Sequence, residues 1–329
     1  MIFFIFFLIF SLSFSTGISQ ENEKIVLMYH RIDEPKYPST SISLDLFKSQ
    51  MQYLKENGYI VDSISNIQNF STNNDLKKKV YITFDDGFLS VYKKAYPILS
   101  NFQFPFSIFL STKFIENDNK NDFMNWKIVK FLKKNNVGVY SHGHSHKSFL
   151  SMTQEELRMD ILSSKDILSR ELNEEGKIIS FPYGETRRSV NNLISELGYD
   201  IGFGQHSGII NKENDFNNLP RFAINENLGN MKRFKKILNY SKLNISDVDP
   251  KDSTIKDPFV NFSFTSNMSL ERINCFLENK ILEKKIIEQK IYINLQKKLS
   301  DGRNRINCTF VDGRGKVYWY TKMLFYKRD

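Results

Sequence analysis

The stretch VYITFDDG, residues 80–87, joins five strand-forming residues to two adjacent carboxylates. Valine, isoleucine, threonine and aromatic residues are enriched in strands, so the run is typical of a buried strand. Asp85 and Asp86 stand at its tip, where two like charges repel each other. The pair could be an acid and base pair, an ion site, or ordinary turn residues that cap a following helix.

Strand-like and helix-like segments alternate on both sides of this stretch. The strand-like runs, in chain order, are KIVLMYH, GYIVDSI, VYITFDDG, PFSIFLS, VGVYSH, KIISFPYG and DIGFG. Between them, Ser43 precedes an amphipathic helix that ends before Gly58, and Thr153 with Glu156 forms a capping box for a helix that reaches Leu172. This alternation predicts a parallel sheet that closes into a distorted α/β barrel, with its chemistry at the carboxyl ends of the strands.

The sequence pattern changes after residue 246. The linker VDPKDSTIKDP is followed by alternating runs such as FVNFSFTS, KIYINLQ and KVYWYTKMLFY, which predict antiparallel strands with a hairpin at Asp312 to Gly315. We therefore expect a catalytic domain at residues 20–246, and a linker with a small β-rich domain at residues 247–329. The aromatic run Tyr318 to Tyr320 favours a core role over stacking on sugar rings.

The composition is that of a folded, basic protein. Of 329 residues, 40% are hydrophobic, and 46 Lys and Arg against 37 Asp and Glu give a net charge of +9. The lysines are scattered along the chain and no nucleic-acid-binding motif is present, which favours a solvated basic surface and no nucleic-acid partner.

Two features indicate a location outside the cytoplasm. Residues 1–19 are apolar over a length typical of a signal peptide, although the absence of Lys or Arg at the start leaves an uncleaved membrane anchor as the alternative. We expect export to the periplasm or the extracellular space, with peripheral association with a membrane or envelope as a further option. In an oxidising compartment Cys275 and Cys308 could pair, and two buried thiols are the alternative.

A second polar cluster points to a metal ion. The run SHGHSH, residues 141–146, holds three of the five histidines of the chain. Imidazoles so close would repel each other if charged, whereas neutral imidazoles are good ligands for Zn²⁺ together with a carboxylate. The spacing alone leaves open which two histidines bind. Two histidines and one aspartate leave a coordination position for water, and the second aspartate can then take a proton from that water.

These motifs together resemble a known enzyme family. TFDDG at residues 83–87, the His-x-x-x-His of His142 and His146, and FPYG at residues 181–184, in that order, resemble the polysaccharide deacetylases of carbohydrate esterase family four, the NodB-homology type. The resemblance spans residues 24 to 221, and the segments LMYHR and PSTSISLDLF resemble an extracellular branch of the family.

The resemblance implies metal-dependent removal of N-acetyl groups from an acetylated polysaccharide. It implies that Asp86, His142 and His146 hold zinc or a similar divalent ion, that Asp85 is the general base, and that His144 is a bystander. Pro182 and Tyr183 would shape the wall of the site, with the Tyr183 backbone N–H donating to the oxyanion.

Two elements of the family pattern are missing. Ser180 stands where the family usually has an arginine that orients the base, and Arg221 is the candidate replacement or an ordinary ion-pair residue. The late leucine-histidine motif that supplies the general acid is also absent. His206 is the candidate acid, and His30 is a weaker candidate for lining the site.

Two rival functions remain open at this stage. An O-acetyl esterase acting on glycans could use the same fold and metal, because an activated water attacks esters more readily than amides. A non-catalytic glycan-binding protein could have inherited the fold, as the missing arginine and histidine motifs and the aromatic C-terminal strands allow. The oligomeric state cannot be predicted from these features.

Overall fold

The computed structural model describes residues 23–70, 78–116, 122–295 and 299–327. The predicted signal peptide lies outside these ranges. Within them, no helix combines the length and the apolar character that crossing a membrane requires.

A parallel sheet of eight short strands forms the larger part of the molecule. Its strands are β1 (Lys24–Tyr29), β2 (Ile60–Val61), β3 (Lys79–Phe84), β4 (Phe106–Leu110), β5 (Gly138–Ser141), β6 (Ile178–Ser180), β7 (Ile201–Phe203) and β8 (Phe222–Ala223). They run in the order β8-β1-β3-β4-β5-β6-β7, with β2 also paired to β3. A further parallel pair joins Arg31–Ile32 to Ser41–Ile42.

One segment links the two edges of this sheet. The Leu219 N–H donates to the Gly202 carbonyl at 2.7 Å, and the Gly204 N–H donates to the Leu219 carbonyl at 2.9 Å. Strand β8, which follows this segment, pairs with β1 on the opposite edge. The predicted distorted barrel is therefore confirmed. Between its two edge strands, β7 and β8, the described chain makes a single isolated bridge to β7, from Leu219 to Phe203.

Seven α-helices accompany the sheet in the described part of the chain. They are α1 (Leu44–Glu56), α2 (Tyr96–Phe102), α3 (Thr112–Glu116), α4 (Trp126–Lys134), α5 (Gln154–Leu172), α6 (Arg188–Glu196) and α7 (Met231–Asn239). The capping box of Thr153 and Glu156 is present at the start of α5. Ser43 stands at the predicted start of α1, but its side chain makes no capping hydrogen bond.

The C-terminal region forms two further sheets from short strands. These strands are β9 (Ser241–Lys242), β10 (Ile245–Asp249), β11 (Thr254–Ile255), β12 (Asn261–Ser266), β13 (Asn274–Leu277), β14 (Lys280–Ile281), β15 (Lys284–Ile287), β16 (Lys290–Asn294), β17 (Gly302–Val311) and β18 (Val317–Tyr326). The first sheet has the order β9-β18-β17-β13-β14, with β11 beside β18, and the second has the order β10-β12-β16-β15. The β-rich C-terminal region is as predicted, whereas the boundary after residue 246 stays a prediction.

The two cysteines pair within the first of these sheets. Cys275 on β13 lies directly opposite Cys308 on β17, and the two form a disulfide. Both are buried in one apolar cluster that includes side chains from Leu243 to Tyr326. The aromatic run on β18 has the core role that its sequence favours, since Tyr318 is buried and Trp319 stacks on Tyr240 with centroids 5.2 Å apart.

Candidate active site and metal centre

The two aspartates lie in a sharp turn after β3. Asp86 has φ 73° and Gly87 has φ 87°, and both values belong to the left-handed region. A Cβ on Gly87 would lie 2.6 Å from Cδ2 of Leu110, so glycine is required there. Side chains alternate along a strand, which predicts that the carboxylates of Asp85 and Asp86 point in different directions. Both residues lie beyond the end of β3 at Phe84, so the turn and not the strand separates the two carboxylates.

Asp86 meets two histidines at the centre of the site. Its Oδ1 lies 2.9 Å from Nε2 of His146 and 3.4 Å from Nε2 of His142. One ligand atom from each residue falls within 4.8 Å of the others. Neither contact has the geometry of a hydrogen bond, so the buried Asp86 Oδ1 has no hydrogen-bond partner among the described residues. A buried carboxylate oxygen without a partner is costly, and a cation beside the two imidazoles would satisfy it. These residues therefore fit a divalent metal ion.

Ser180 orients His142 from the neighbouring strand. The His142 Nδ1 lies 2.9 Å from the Ser180 carbonyl oxygen and 2.5 Å from its Oγ. A carbonyl only accepts hydrogen bonds, so Nδ1 carries the proton and Nε2 keeps its lone pair for a metal. The serine that departs from the family pattern thus supports a metal ligand.

The loop that carries the histidines is held by Asp160 on α5. Its carboxylate accepts hydrogen bonds from the backbone N–H groups of His144 and Ser145, at 2.8 and 2.9 Å. The His144 ring turns away from the metal ligands, with Nδ1 2.9 Å from Oγ1 of Thr112. Sequence reasoning missed Asp160. Its position three residues after Leu157 places a carboxylate on the buried face of an amphipathic helix, which could have indicated its role.

Asp85 forms a buried, bidentate pair with Arg221. Both Nη atoms of Arg221 donate to the Asp85 carboxylate at 2.7 Å, and neither side chain is exposed to solvent. The Arg221 Nε donates to the Gly204 carbonyl at 3.0 Å, which fixes the guanidinium. Burial alone would raise the pKa of Asp85, but the charge of Arg221 and its hydrogen bonds outweigh that effect and lower the pKa.

Tyr183 stands at the rim of the site in a strained conformation. Its φ of 60° lies in the left-handed region, where a tyrosine is rare. The residue is 42% exposed, and its ring lies 4.8 Å from the ring of His146, centroid to centroid. The Tyr183 carbonyl accepts a hydrogen bond from Nη1 of Arg303 on β17 at 3.0 Å. The C-terminal region thus contacts the turn that borders the metal ligands.

His206 and His30 lie in different surroundings. His206 lines a cavity of about 280 Å³ together with Lys242, Trp319 and Lys322, and none of the metal ligands lines it. Burial, with the charges of Lys322 and Arg221, lowers the pKa of His206 to about 4. His30 directly follows β1, and because Tyr29 pairs with Phe84 on β3, it lies beside the turn of the two aspartates. Burial also lowers the pKa of His30, opposed by the charges of Asp86 and Asp85. The general-acid role of His206 stays a prediction and gains no support from this geometry.

Residues 72–202 match the family model described as polysaccharide deacetylase. Over these residues the chain is similar to the polysaccharide deacetylases, and we call the barrel that contains them the deacetylase domain. The matched residues include the aspartate pair, the histidine loop and the FPYG turn. Arg221 and both C-terminal sheets lie beyond the end of that match.

Relatives and solved structures agree with this assignment. A poly-beta-1,6-N-acetyl-D-glucosamine N-deacetylase of Staphylococcus aureus is 24% identical over 234 residues, which cover 63% of this chain and 80% of that protein. The deacetylase PplD of Streptococcus pyogenes, solved in complex with acetate, has a TM-score of 0.60 at 25% identity and covers 66% of this chain and 99% of its own. IcaB from Ammonifex degensii shares the fold of the deacetylase domain, with a TM-score of 0.58 at 21% identity over 67% of this chain and 98% of its own.

Proposed function

We propose that the deacetylase domain removes N-acetyl groups from an amino-sugar polysaccharide and uses zinc as its metal ion. The observation that carries this proposal is the meeting of Asp86, His142 and His146 beside a second carboxylate that Arg221 holds. Two imidazoles and one carboxylate are a common ligand set of catalytic zinc sites. The S. aureus relative is named for N-deacetylation of an N-acetylglucosamine polymer, which supports this class of substrate.

The three ligands would hold the metal ion that activates the water and the acetyl group. A divalent ion bound there would polarise the acetyl carbonyl and lower the pKa of a nearby water. The hydrogen bond that His142 Nδ1 donates to the Ser180 carbonyl keeps that imidazole in the tautomer that binds a metal.

Asp85 is the general base of this proposal. The attacking water gives one proton to the Asp85 carboxylate, its oxygen bonds to the acetyl carbon, and the C–N bond then breaks to release acetate and the sugar amine. The lowered pKa keeps Asp85 ionised at neutral pH. The bidentate contact with Arg221 fixes the direction in which the carboxylate faces.

The remaining roles fall to Tyr183 and a histidine. The Tyr183 backbone N–H is the proposed donor to the oxyanion that forms when water attacks. His206 is the acid predicted from sequence, but a pKa of about 4 leaves it neutral at neutral pH. Burial lowers the pKa of His30 as well, so position and not pKa separates the two candidates. His206 lines a separate cavity, whereas His30 follows β1 beside the aspartates, and this favours His30 as the acid that protonates the leaving amine.

The Cys275–Cys308 disulfide supports a location outside the cytoplasm, because structural disulfides persist in oxidising compartments. We propose that the chain is exported through its apolar N-terminal residues and meets an acetylated polysaccharide in the periplasm or the extracellular space.

The test is acetate release from an N-acetylglucosamine oligomer and from an O-acetylated xylan. We expect release from the first, loss of release with a chelator, and recovery when zinc is added back. Asp85→Asn should lower the rate by about 10²- to 10⁴-fold while the metal content stays unchanged. Asp200→Asn, which alters an exposed carboxylate elsewhere on the domain, is the matched control. Full activity of Asp85→Asn, or release from the ester alone, would contradict the proposal.

A further inference from the structure

A groove lined by cations lies between the deacetylase domain and the C-terminal hairpin. It has a volume of about 840 Å³, and none of its lining residues is Asp or Glu. Five cationic side chains line it, namely Lys78, Lys235, Lys236, Arg314 and Lys316. We call this surface the basic groove.

The basic groove lies at the end of the barrel opposite the metal ligands. Lys78 directly precedes β3, whereas Asp85 directly follows it. At about 3.3 Å per residue, the intervening strand separates the two by about 20 Å. Tyr59, which also lines the groove, directly precedes β2. The groove is therefore too far from the reacting atoms to form part of the catalytic centre.

Three of the cations lack a carboxylate partner within the described part of the chain. Lys235, Lys236 and Lys316 make no ion pair there, and Lys235 and Lys236 are exposed near the end of α7. Lys316 and Arg314 come from the β17–β18 hairpin. Lysines are common at the end of a helix. Here, however, Arg314 and Lys316 from the hairpin line the same groove as Lys235 and Lys236 and add further positive charge to it. Such a surface attracts an anionic partner.

The chain enters the described structure at the wall of this groove. The carboxylate of Glu23, the first described residue, pairs with Lys78 at 3.2 Å and accepts hydrogen bonds from Oγ of Ser241 and the N–H of Lys242, both at 2.8 Å. Residues 2–14 carry no charge and consist of apolar residues and two serines. In the sequence, only the eight residues 15–22 separate this apolar run from Glu23.

We propose that the basic groove docks the protein on the anionic surface of a phospholipid membrane, beside the point where residues 2–14 enter the lipid. This uses the uncleaved anchor that the sequence offers as the alternative to a cleaved signal peptide. An apolar run of this length is short of the about 20 residues that span a bilayer, and stable attachment at an interface takes two signals. A cluster of cations next to an apolar segment supplies the second signal, worth about 1 kcal/mol for each Lys or Arg near the surface. The metal ligands then face away from the membrane, toward the polymer.

Vesicle binding by the full-length chain tests this inference and does not depend on deacetylation. Binding is measured by flotation with phosphatidylcholine vesicles, and with vesicles that also contain phosphatidylglycerol, at low and at high salt. We expect tighter binding to the anionic vesicles, and salt should weaken this preference. Lys235→Glu with Lys236→Glu should weaken binding to anionic vesicles by about tenfold or more and leave binding to neutral vesicles unchanged.

The matched control makes the same change of charge on another face. Lys127→Glu with Lys134→Glu alters two exposed lysines of α4, and we expect little change in binding. Circular dichroism checks that both variants are folded. Equal losses in the two variants, or no preference for anionic vesicles, would overturn the proposal. So would binding of a soluble acidic polysaccharide that the groove variant loses while its vesicle binding stays intact.

Discussion

At the scale of single residues, the site is organised by the different partners of two adjacent aspartates. Asp85 is neutralised by Arg221, whereas Asp86 faces the Nε2 atoms of two imidazoles. Because its charge is already paired, Asp85 can stay ionised beside a second carboxylate. The repulsion that the sequence places at the end of β3 is thus resolved by one buried arginine and by a group that fits a metal ion.

The first prediction concerns the geometry of the Asp85–Arg221 pair. Arg221→Lys keeps the charge but loses the bidentate contact, so the direction of the carboxylate is no longer fixed. We expect kcat to fall by about 10- to 100-fold with little change in KM, as the loss of a charged hydrogen bond worth about 1.5–3 kcal/mol implies. Arg158→Lys, at an exposed pair with Glu196, is the control. An unchanged kcat would contradict the positioning role of Arg221.

The second prediction concerns His206 and its effect on stability. The folded pKa of about 4 lies below the usual 6.5, so the unfolded chain binds the proton more tightly. The contribution of His206 is therefore complete above pH 6.5 and is lost as the pH falls toward 4, by on the order of 3 kcal/mol in the free energy of unfolding. Denaturation of His206→Gln across this range should show a weaker pH dependence than the original protein.

The same variant separates the two candidate acids. His206→Gln should keep most of its deacetylase activity at neutral pH, whereas His30→Gln should lose about 10²-fold or more in kcat. Acetate release measured against pH for both variants decides between them. The opposite order of effects would return the acid role to His206.

At the scale of elements, short local signals place the ligands, and neighbouring elements orient them. The turn after β3 carries Asp86, the loop after β5 carries the histidines, and β6 brings Ser180 against His142. Aspartates and histidines that follow apolar runs are visible in the sequence. The support from Ser180 and Asp160 is not, because it depends on which strands and helices become neighbours.

The third prediction tests the link between β17 and the FPYG turn. Arg303 donates to the Tyr183 carbonyl at 3.0 Å and to Oε1 of Gln205 at 3.3 Å. Arg303→Ala removes this support from a strained turn, so we expect kcat to fall by about three- to tenfold, as for a lost hydrogen bond of about 1 kcal/mol. Arg314→Ala, at the exposed tip of the same hairpin, should leave kcat unchanged. Equal kcat values for the two variants would show that the turn keeps its conformation without Arg303.

At the scale of the whole molecule, the C-terminal sheets contact the deacetylase domain at several places, two of which border a functional surface. One contact, through Arg303, reaches the rim of the site, and the other, through the β17–β18 hairpin, completes the basic groove. Between them, Trp319 stacks on Tyr240 with an angle of 7° between the rings. Through these contacts the C-terminal region borders both the rim of the metal site and the basic groove.

The fourth prediction concerns the stability that the disulfide adds. The bond closes a loop with a sequence separation of 33, and loop-closure entropy gives a stabilisation of about 3–4 kcal/mol. Cys275→Ser with Cys308→Ser should lower the free energy of unfolding of the C-terminal region by about this amount in a denaturant titration. A reducing agent should have the same effect on the original protein and none on the variant. A loss below about 1 kcal/mol would contradict this account.

The sequence by itself determined the elements that depend on local pattern. Alternating apolar runs predicted the parallel barrel, the capping box of Thr153 and Glu156 predicted the start of α5, and the aspartate and histidine motifs pointed to a metal site. These signals lie within a few residues of one another, where strand and helix geometry alone decides which side chains share a face.

Only the tertiary structure decided which distant residues meet. Arg221 lies 136 positions from Asp85 and is its bidentate partner, while His206, although it follows a strand as predicted, turns toward the C-terminal sheets. Scattered lysines indicated an ordinary solvated surface, yet the fold gathers five cations into one groove. Such contacts follow from how the barrel and the C-terminal sheets pack, because sequence spacing carries no information about proximity between elements that are far apart in the chain.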